Sequence, residues 1–168
     1  MKNKNYVWEF TNQRKLNKKE FLRYFEKKVF ATIRKYKMFG DGKSRKIFLK
    51  KCSGLNFNVL KYVLGKKFDV EVVAGSKGFS CYDLSDVAEM IFLDILKGKF
   101  NNAKFRLENL KAPLCRLLDR EVELYAQLVG IKGNLRKKDV GIEKFFGKFK
   151  SKNPDLEQNV VKAFEPLF

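Results

Sequence analysis

Three cysteines, no histidine and one serine–glycine turn are the residues of this chain with the most chemical potential. Without histidine, the commonest general base and metal ligand is missing. Cys52, Cys81 and Cys115 lie far apart and none belongs to a C-x-x-C pair. That spacing argues against a zinc ribbon, an iron–sulfur site and a disulfide scaffold, so no metal ligands are assigned. Cys81 is the one catalytic candidate, since it reads as part of a loop beside Asp83 at the C-terminal end of a sheet, where α/β proteins form sites. Cys52 and Cys115 read as packing residues. Ser53-Gly54 follows the apolar run Ile47–Leu49 and precedes Val59, Leu60, Val63 and Leu64 at helical spacing. A strand, a glycine turn and a helix together aim backbone N–H groups at a bound anion, and an ordinary βα turn has the same pattern.

Charge is the second signal. The 168 residues carry a net charge of +18, and residues 1–60 hold 17 Lys and Arg against 4 Asp and Glu, or +13. Such an excess implies a polyanionic partner, RNA above all, with a merely solubilising surface as the alternative. Lys43, Arg45, Lys46, Lys50 and Lys51 flank the first strand of the α/β core, and Arg136, Lys137, Lys138, Lys144, Lys148, Lys150 and Lys152 flank a Phe-rich stretch. These are the candidate RNA contacts, because phosphate recognition needs only charge and reach. Phe145, Phe146 and Phe149 recur at helical spacing, which favours core positions over base stacking.

The elements that position these residues follow from periodicity. Tyr6, Trp8 and Phe10 alternate, as in an edge strand or a stacking arm. Asn17 and Glu20 form a capping box for a helix with Phe21, Phe25, Val29, Ile33 and Tyr36 on one stripe, running to about Met38. A turn at Gly40–Gly42 leads to a strand over Arg45–Lys51, a helix from about Asn56 to Leu64 and a strand over Phe68–Ala74. Together these make a βαβ unit with parallel strands. Phe79–Cys81 reads as a further short strand. Helices follow behind Asp83 or Ser85, over Asn102–Leu110, behind Asp119 and from Pro154-Asp155. No run reaches the roughly 18–20 apolar residues of a membrane span.

Four stretches together resemble the PP-loop ATPases that thiolate tRNA. Ser53-Gly54-Leu55-Asn56-Phe57-Asn58 stands where that family has S-G-G-K-D-S, the loop that cradles the pyrophosphate of ATP. Phe21 to Tyr36 is similar to the helix before that loop. Leu84 to Gly98 looks like the segment G-H-N-L-D-D-x-A-x-x-x-L-x-N-x-L-R-G, and Ala112 to Ala126 like R-P-L-x-x-x-x-E-x-E-V-x-x-Y-A. Order and spacing are kept over most of the chain. The resemblance implies that Ser53, Gly54, Asn56, Asn58 and Asp86 are remnants of the nucleotide loop and its partner carboxylate.

The departures define the expected function. The second glycine, the lysine, the aspartate and the last serine of the loop are gone, and Leu55 and Phe57 add bulk. Tyr82, Asp83 and Ser85 replace the family's histidine, asparagine and first aspartate, and its cysteine pair and zinc ribbons have no counterpart. About ten residues separate Ala74 from Leu84, too few for a parallel crossover. Phe68–Ala74 and Phe79–Cys81 then form a hairpin or, preferably, Phe68–Ala74 takes the place of the family's fourth strand with an inserted loop after it. The expected fold class is α/β, a small parallel sheet of the PP-loop (HUP, Rossmann-like) type flanked by helices, with a helical C-terminal part. One domain is expected: an arm over 1–16, the α/β core over 17–112 and the helical part over 113–168. The expected function is a cytoplasmic, non-catalytic or accessory tRNA-binding protein, partnered by an active thiolation subunit or by itself, with no cofactor and ATP disfavoured. The alternative is a minimal active ATP-dependent tRNA-modifying enzyme with an altered loop.

Overall fold

The computed structural model describes residues 5–39, 45–75 and 77–164. Lys43 and the Gly40–Gly42 turn lie outside them. The alternating aromatics of the N-terminal segment form an edge hairpin: β1 (Tyr6–Glu9) pairs antiparallel with β2 (Lys15–Asn17). Trp8 turns inward onto Phe21, their rings 5.5 Å apart. Helix α1 (Lys18–Lys35) starts at the expected capping box, with Asn17 Oδ1 accepting from Glu20 N–H and Glu20 returning the bond. Phe21, Phe25, Val29 and Ile33 are buried along one stripe. The helix stops at Lys35, short of Met38.

Strand β3 (Lys46–Lys50), helix α2 (Leu55–Gly65) and strand β4 (Asp69–Val73) make the βαβ unit, and the two strands pair in parallel from Lys46↔Asp69 to Lys50↔Val73. After β4 the chain does not form a hairpin. Phe79 bridges Leu49 in parallel on the far side of β3, so β3 lies between β4 and Phe79. Lys51 N–H donates to Val73 O, while Phe79 N–H donates to Phe48 O and Lys50 N–H to Phe79 O. Contact on that side of β3 is limited to one residue, which dispenses with a crossover helix. The two faces of the sheet differ in cover. Ile47 and Leu49 are buried, whereas Phe48 between them is 46% exposed. The expected sheet flanked by helices is therefore a two-stranded parallel sheet covered on one face, short of a full Rossmann-like sheet among the described residues.

The rest is helical: α3 (Leu84–Leu96), α4 (Phe100–Glu108), α5 (Asp119–Val129), α6 (Val140–Lys150) and α7 (Leu156–Phe164). Helix α5 begins after Leu118 rather than behind Asp119, with Leu118 N–H donating to Glu121, and ends on left-handed Gly130. It locks onto α1: Phe25 and Tyr125 stack 4.1 Å apart, and Tyr24 Oη donates to buried Glu121 at 2.7 Å. Burial, then the Glu121 charge, pushes the Tyr24 phenol well above its ordinary range. A second apolar cluster joins α3, α4 and α7 through Val87, Ile91, Leu107, Val161 and Phe164. No helix among the described residues is long and apolar enough to cross a membrane.

The link from β4 to Phe79 gives a test. Gly75 and Gly78 both have positive φ, but only at Gly78 would a Cβ meet backbone, Phe48 O at 2.6 Å. Gly75→Ala is expected to cost about 1 kcal/mol and Gly78→Ala roughly 3 kcal/mol or more. Urea unfolding of the two variants checks the order.

Candidate functional site

Where β3 ends, Lys51, Cys52 and Ser53 lead into Gly54, whose φ of 113° is one that glycine adopts freely. Helix α2 then begins without a side-chain cap. Its first N–H groups are the place where an anion is expected. The chain fills that place itself. Residues 131–135, between α5 and α6, lie across the first turn of α2, and Leu55 N–H donates to Asn134 O at 2.9 Å. Asn58 Nδ2 donates to Lys132 O at 2.8 Å. The approach is close enough that a Cβ on Gly133 would meet Leu55 Cα at 2.7 Å, and one on Gly54 would meet Asn134 O at 3.0 Å.

Asn56 and Asp86 also bond inward. Asn56 Nδ2 donates to Asp83 Oδ2 at 2.8 Å and to Cys81 O at 3.2 Å. Asp83 caps α3 in a reciprocal box with Asp86: each carboxylate accepts the other's backbone N–H, at 2.8 and 3.0 Å. Arg136 reaches into this acidic corner and pairs with both Asp86 and Glu89. Ser85 Oγ accepts from Asp119 N–H, and Lys138 pairs with Asp119. Burial raises Asp83 to about 7, helped by the neighbouring Asp86 charge, and burial raises Asp86 as well against the pull of Arg136. Burial opposes the ionisation of Asp119, but Lys138 holds its carboxyl below the ordinary range.

An open cavity of about 500 Å³ lies beside the turn, lined by Lys50, Lys51, Cys52, Ser53, Cys81, Tyr82 and Lys137 among others. At its rim the two cysteines that looked unrelated come together: Cys52 and Cys81 pair sulfur to sulfur, 29 residues apart in sequence. The pairing arises because β3 and Phe79 are neighbours, a relation that no local spacing reveals. Cys115 is buried in the second cluster.

The basic candidates divide. Arg136, Lys138, Lys46 and Lys150 are engaged, with Lys46 on Glu71 and Lys150 on Glu157. Arg45, Lys50, Lys51, Lys137, Lys144, Lys148 and Lys152 have no ion-pair partner among the described residues. Of these, Lys50, Lys51 and Lys137 share the cavity. Lys144, Lys148 and Lys152 follow at four-residue intervals along α6 and just past its end. Phe146 is buried, as its spacing implied, while Phe145 and Phe149 are 40% and 44% exposed.

No family model and no curated protein matches the chain. Its fold is similar to that of the U34-tRNA thiolase NcsA from Methanococcus maripaludis, solved with its [4Fe-4S] cluster. The TM-score is 0.75, with 96% of this chain and 84% of that chain covered at 12% sequence identity. The likeness is one of fold. A [4Fe-4S] cluster is usually held by four cysteine thiolates, with a histidine or other group sometimes replacing one. Here two sulfurs converge while Cys115 is enclosed elsewhere, and no group of three or more metal-binding side chains occurs among the described residues. These residues do not fit that cluster.

The acidic corner predicts a pH dependence. Asp83 titrates higher in the folded chain than the roughly 3.9 of an unfolded carboxyl, so between those values the folded state holds more protons and stability rises as pH falls. Relative to Asp83→Asn, the native chain is expected to gain about 1–2 kcal/mol between pH 7.5 and pH 5. Denaturation curves of both proteins at the two pH values measure the difference, and parallel behaviour contradicts it.

Proposed function

We propose that this chain is a non-catalytic relative of the tRNA-thiolation enzymes that holds tRNA without using ATP, as an accessory to a catalytically competent subunit. The observation that carries the reading is the Leu55–Asn134 hydrogen bond. Where an ATP-using relative would present bare N–H groups to phosphate, the first N–H of α2 donates instead to the backbone carbonyl of Asn134 in its own chain. The bulk of Leu55 and Phe57 and the loss of the loop lysine act in the same direction. Asn56, Asn58 and Asp86 serve as internal ties that hold the turn, α3 and the 131–136 segment together.

RNA recognition falls to the cations that no carboxylate engages. Lys50, Lys51 and Lys137 line the cleft, and Tyr82, 44% exposed, offers an aromatic face beside them. Lys144, Lys148 and Lys152 extend the positive surface along α6. Such a set contacts phosphates with little sequence preference, and the fold shared with a U34-tRNA thiolase supports tRNA as the polyanion.

Filter binding of tRNA across a salt series tests this. Log affinity falls linearly with log salt, by somewhat under one unit of slope per phosphate contact. Replacing Lys137, Lys144, Lys148 and Lys152 with Gln is expected to weaken binding at least tenfold at low salt and to flatten the slope by roughly two to four units. Replacing the engaged Lys138 is expected to cost stability instead, because it strands Asp119. Absence of binding at low salt, or an unchanged slope in the fourfold variant, overturns the reading.

A further inference from the structure

The cysteine pair at the cleft is unused by the reading above. Cys52 is exposed on the turn between β3 and α2, and Cys81 is half-buried on the segment that leads into α3. We propose that Cys52 and Cys81 are a reversible thiol–disulfide pair that latches the cleft by tying the two segments of its rim together. This goes beyond RNA binding and does not depend on it.

Three observations support reversibility over a structural staple. The first is redundancy. The segments joined by the pair are already held by Lys50 N–H to Phe79 O and by Asn56 Nδ2 to Cys81 O and Asp83. Ile47 and Leu49 anchor one segment in the core and Leu84 anchors the other in the second cluster, so both stay in place without the bond. The second is access. Both sulfurs sit at an open cavity that Lys50, Lys51, Lys137 and Asp86 also line, where small thiols and disulfides have access. The third is geometry. The Cα atoms are 7.5 Å apart, wider than the roughly 4.4–6.8 Å usual for disulfides, so the backbone position suits two separate thiols and does not depend on the bond. Cys115, enclosed in the second cluster, is no competing partner.

The co-reactant is a low-molecular-weight disulfide. The Cys52 thiolate, the more exposed of the two, attacks one of its sulfurs, forming a mixed disulfide and expelling a thiolate. The Cys81 thiolate then attacks Cys52 Sγ, closing the internal bond and expelling the second thiolate. Two cysteines are oxidised, the external disulfide is reduced to two thiols, and the two cysteine protons end on those thiols. Excess external thiol runs the sequence backwards.

The test uses the full chain, reduced with dithiothreitol and re-equilibrated across glutathione/glutathione-disulfide ratios, with alkylation and mass spectrometry as the readout. In the reduced chain Cys52 and Cys81 are expected to alkylate without denaturant and Cys115 only with it. The oxidised chain is expected to contain a single Cys52–Cys81 link and to return fully on reduction. Amide exchange over residues 51–56 and 79–83 is expected to slow about tenfold on oxidation. Cys52→Ser and Cys81→Ser should each stop at a stable mixed disulfide and lose the exchange difference. Persistent glutathione adducts on both cysteines of the native chain, with no internal link, overturn the proposal. A reduced chain that loses cooperative unfolding also overturns it, because the bond is then a structural staple. Amide exchange unchanged between the two forms removes the latch.

Discussion

One hydrogen bond organises the functional end of this protein: Leu55 N–H on Asn134 O, which closes the N-terminus of α2 with the chain's own backbone. A helix start leaves N–H donors that must find partners, and the shortage is acute for α2 because its N-cap is glycine. Once Asn134 supplies an acceptor for the first of them, much else follows. Gly54 and Gly133 must lack side chains for the segments to touch. Asn58 secures Lys132, and Arg136 is delivered onto Asp86 and Glu89.

The acidic corner then engages Arg136 internally despite its charge. Asp83, Asp86 and Glu89 lie within one buried region at the start of α3, where an unpaired cluster of carboxylates is costly. Arg136 neutralises two of them and Asn56 donates to the third. Removing the arginine leaves buried negative charge, so its loss strikes the fold before it strikes any ligand. Lys138 stands in the same relation to Asp119. The net positive charge of the chain is thus partly internal wiring, and the share facing an external polyanion is smaller than the +18 suggests.

Periodicity made the helices legible, along with the parallel pairing of the βαβ strands. The Asn17–Glu20 and Asp83 caps were legible too, because each rests on residues within one turn of another. What escaped depends on contacts between distant segments. The bridge of Phe79 to the free edge of β3, the union of Cys52 with Cys81 and the seating of residues 131–135 on α2 all join parts of the chain that no local pattern relates. A turn does follow β3 at Ser53-Gly54, and Asn56, Asn58 and Asp86 beside it make internal bonds to distant segments. The basic residues could be listed from sequence, but only their partners separate Lys137, which is unpaired, from Lys138, which is not.

The central claim is that the chain's own backbone occupies the phosphate position. The most direct measurement follows the Leu55 amide by nuclear magnetic resonance during titration with magnesium ATP. The account predicts a protected Leu55 N–H whose resonance is unmoved up to about millimolar nucleotide. A resonance that shifts and saturates in the micromolar range, with protection lost as residues 131–135 lift away, would contradict it.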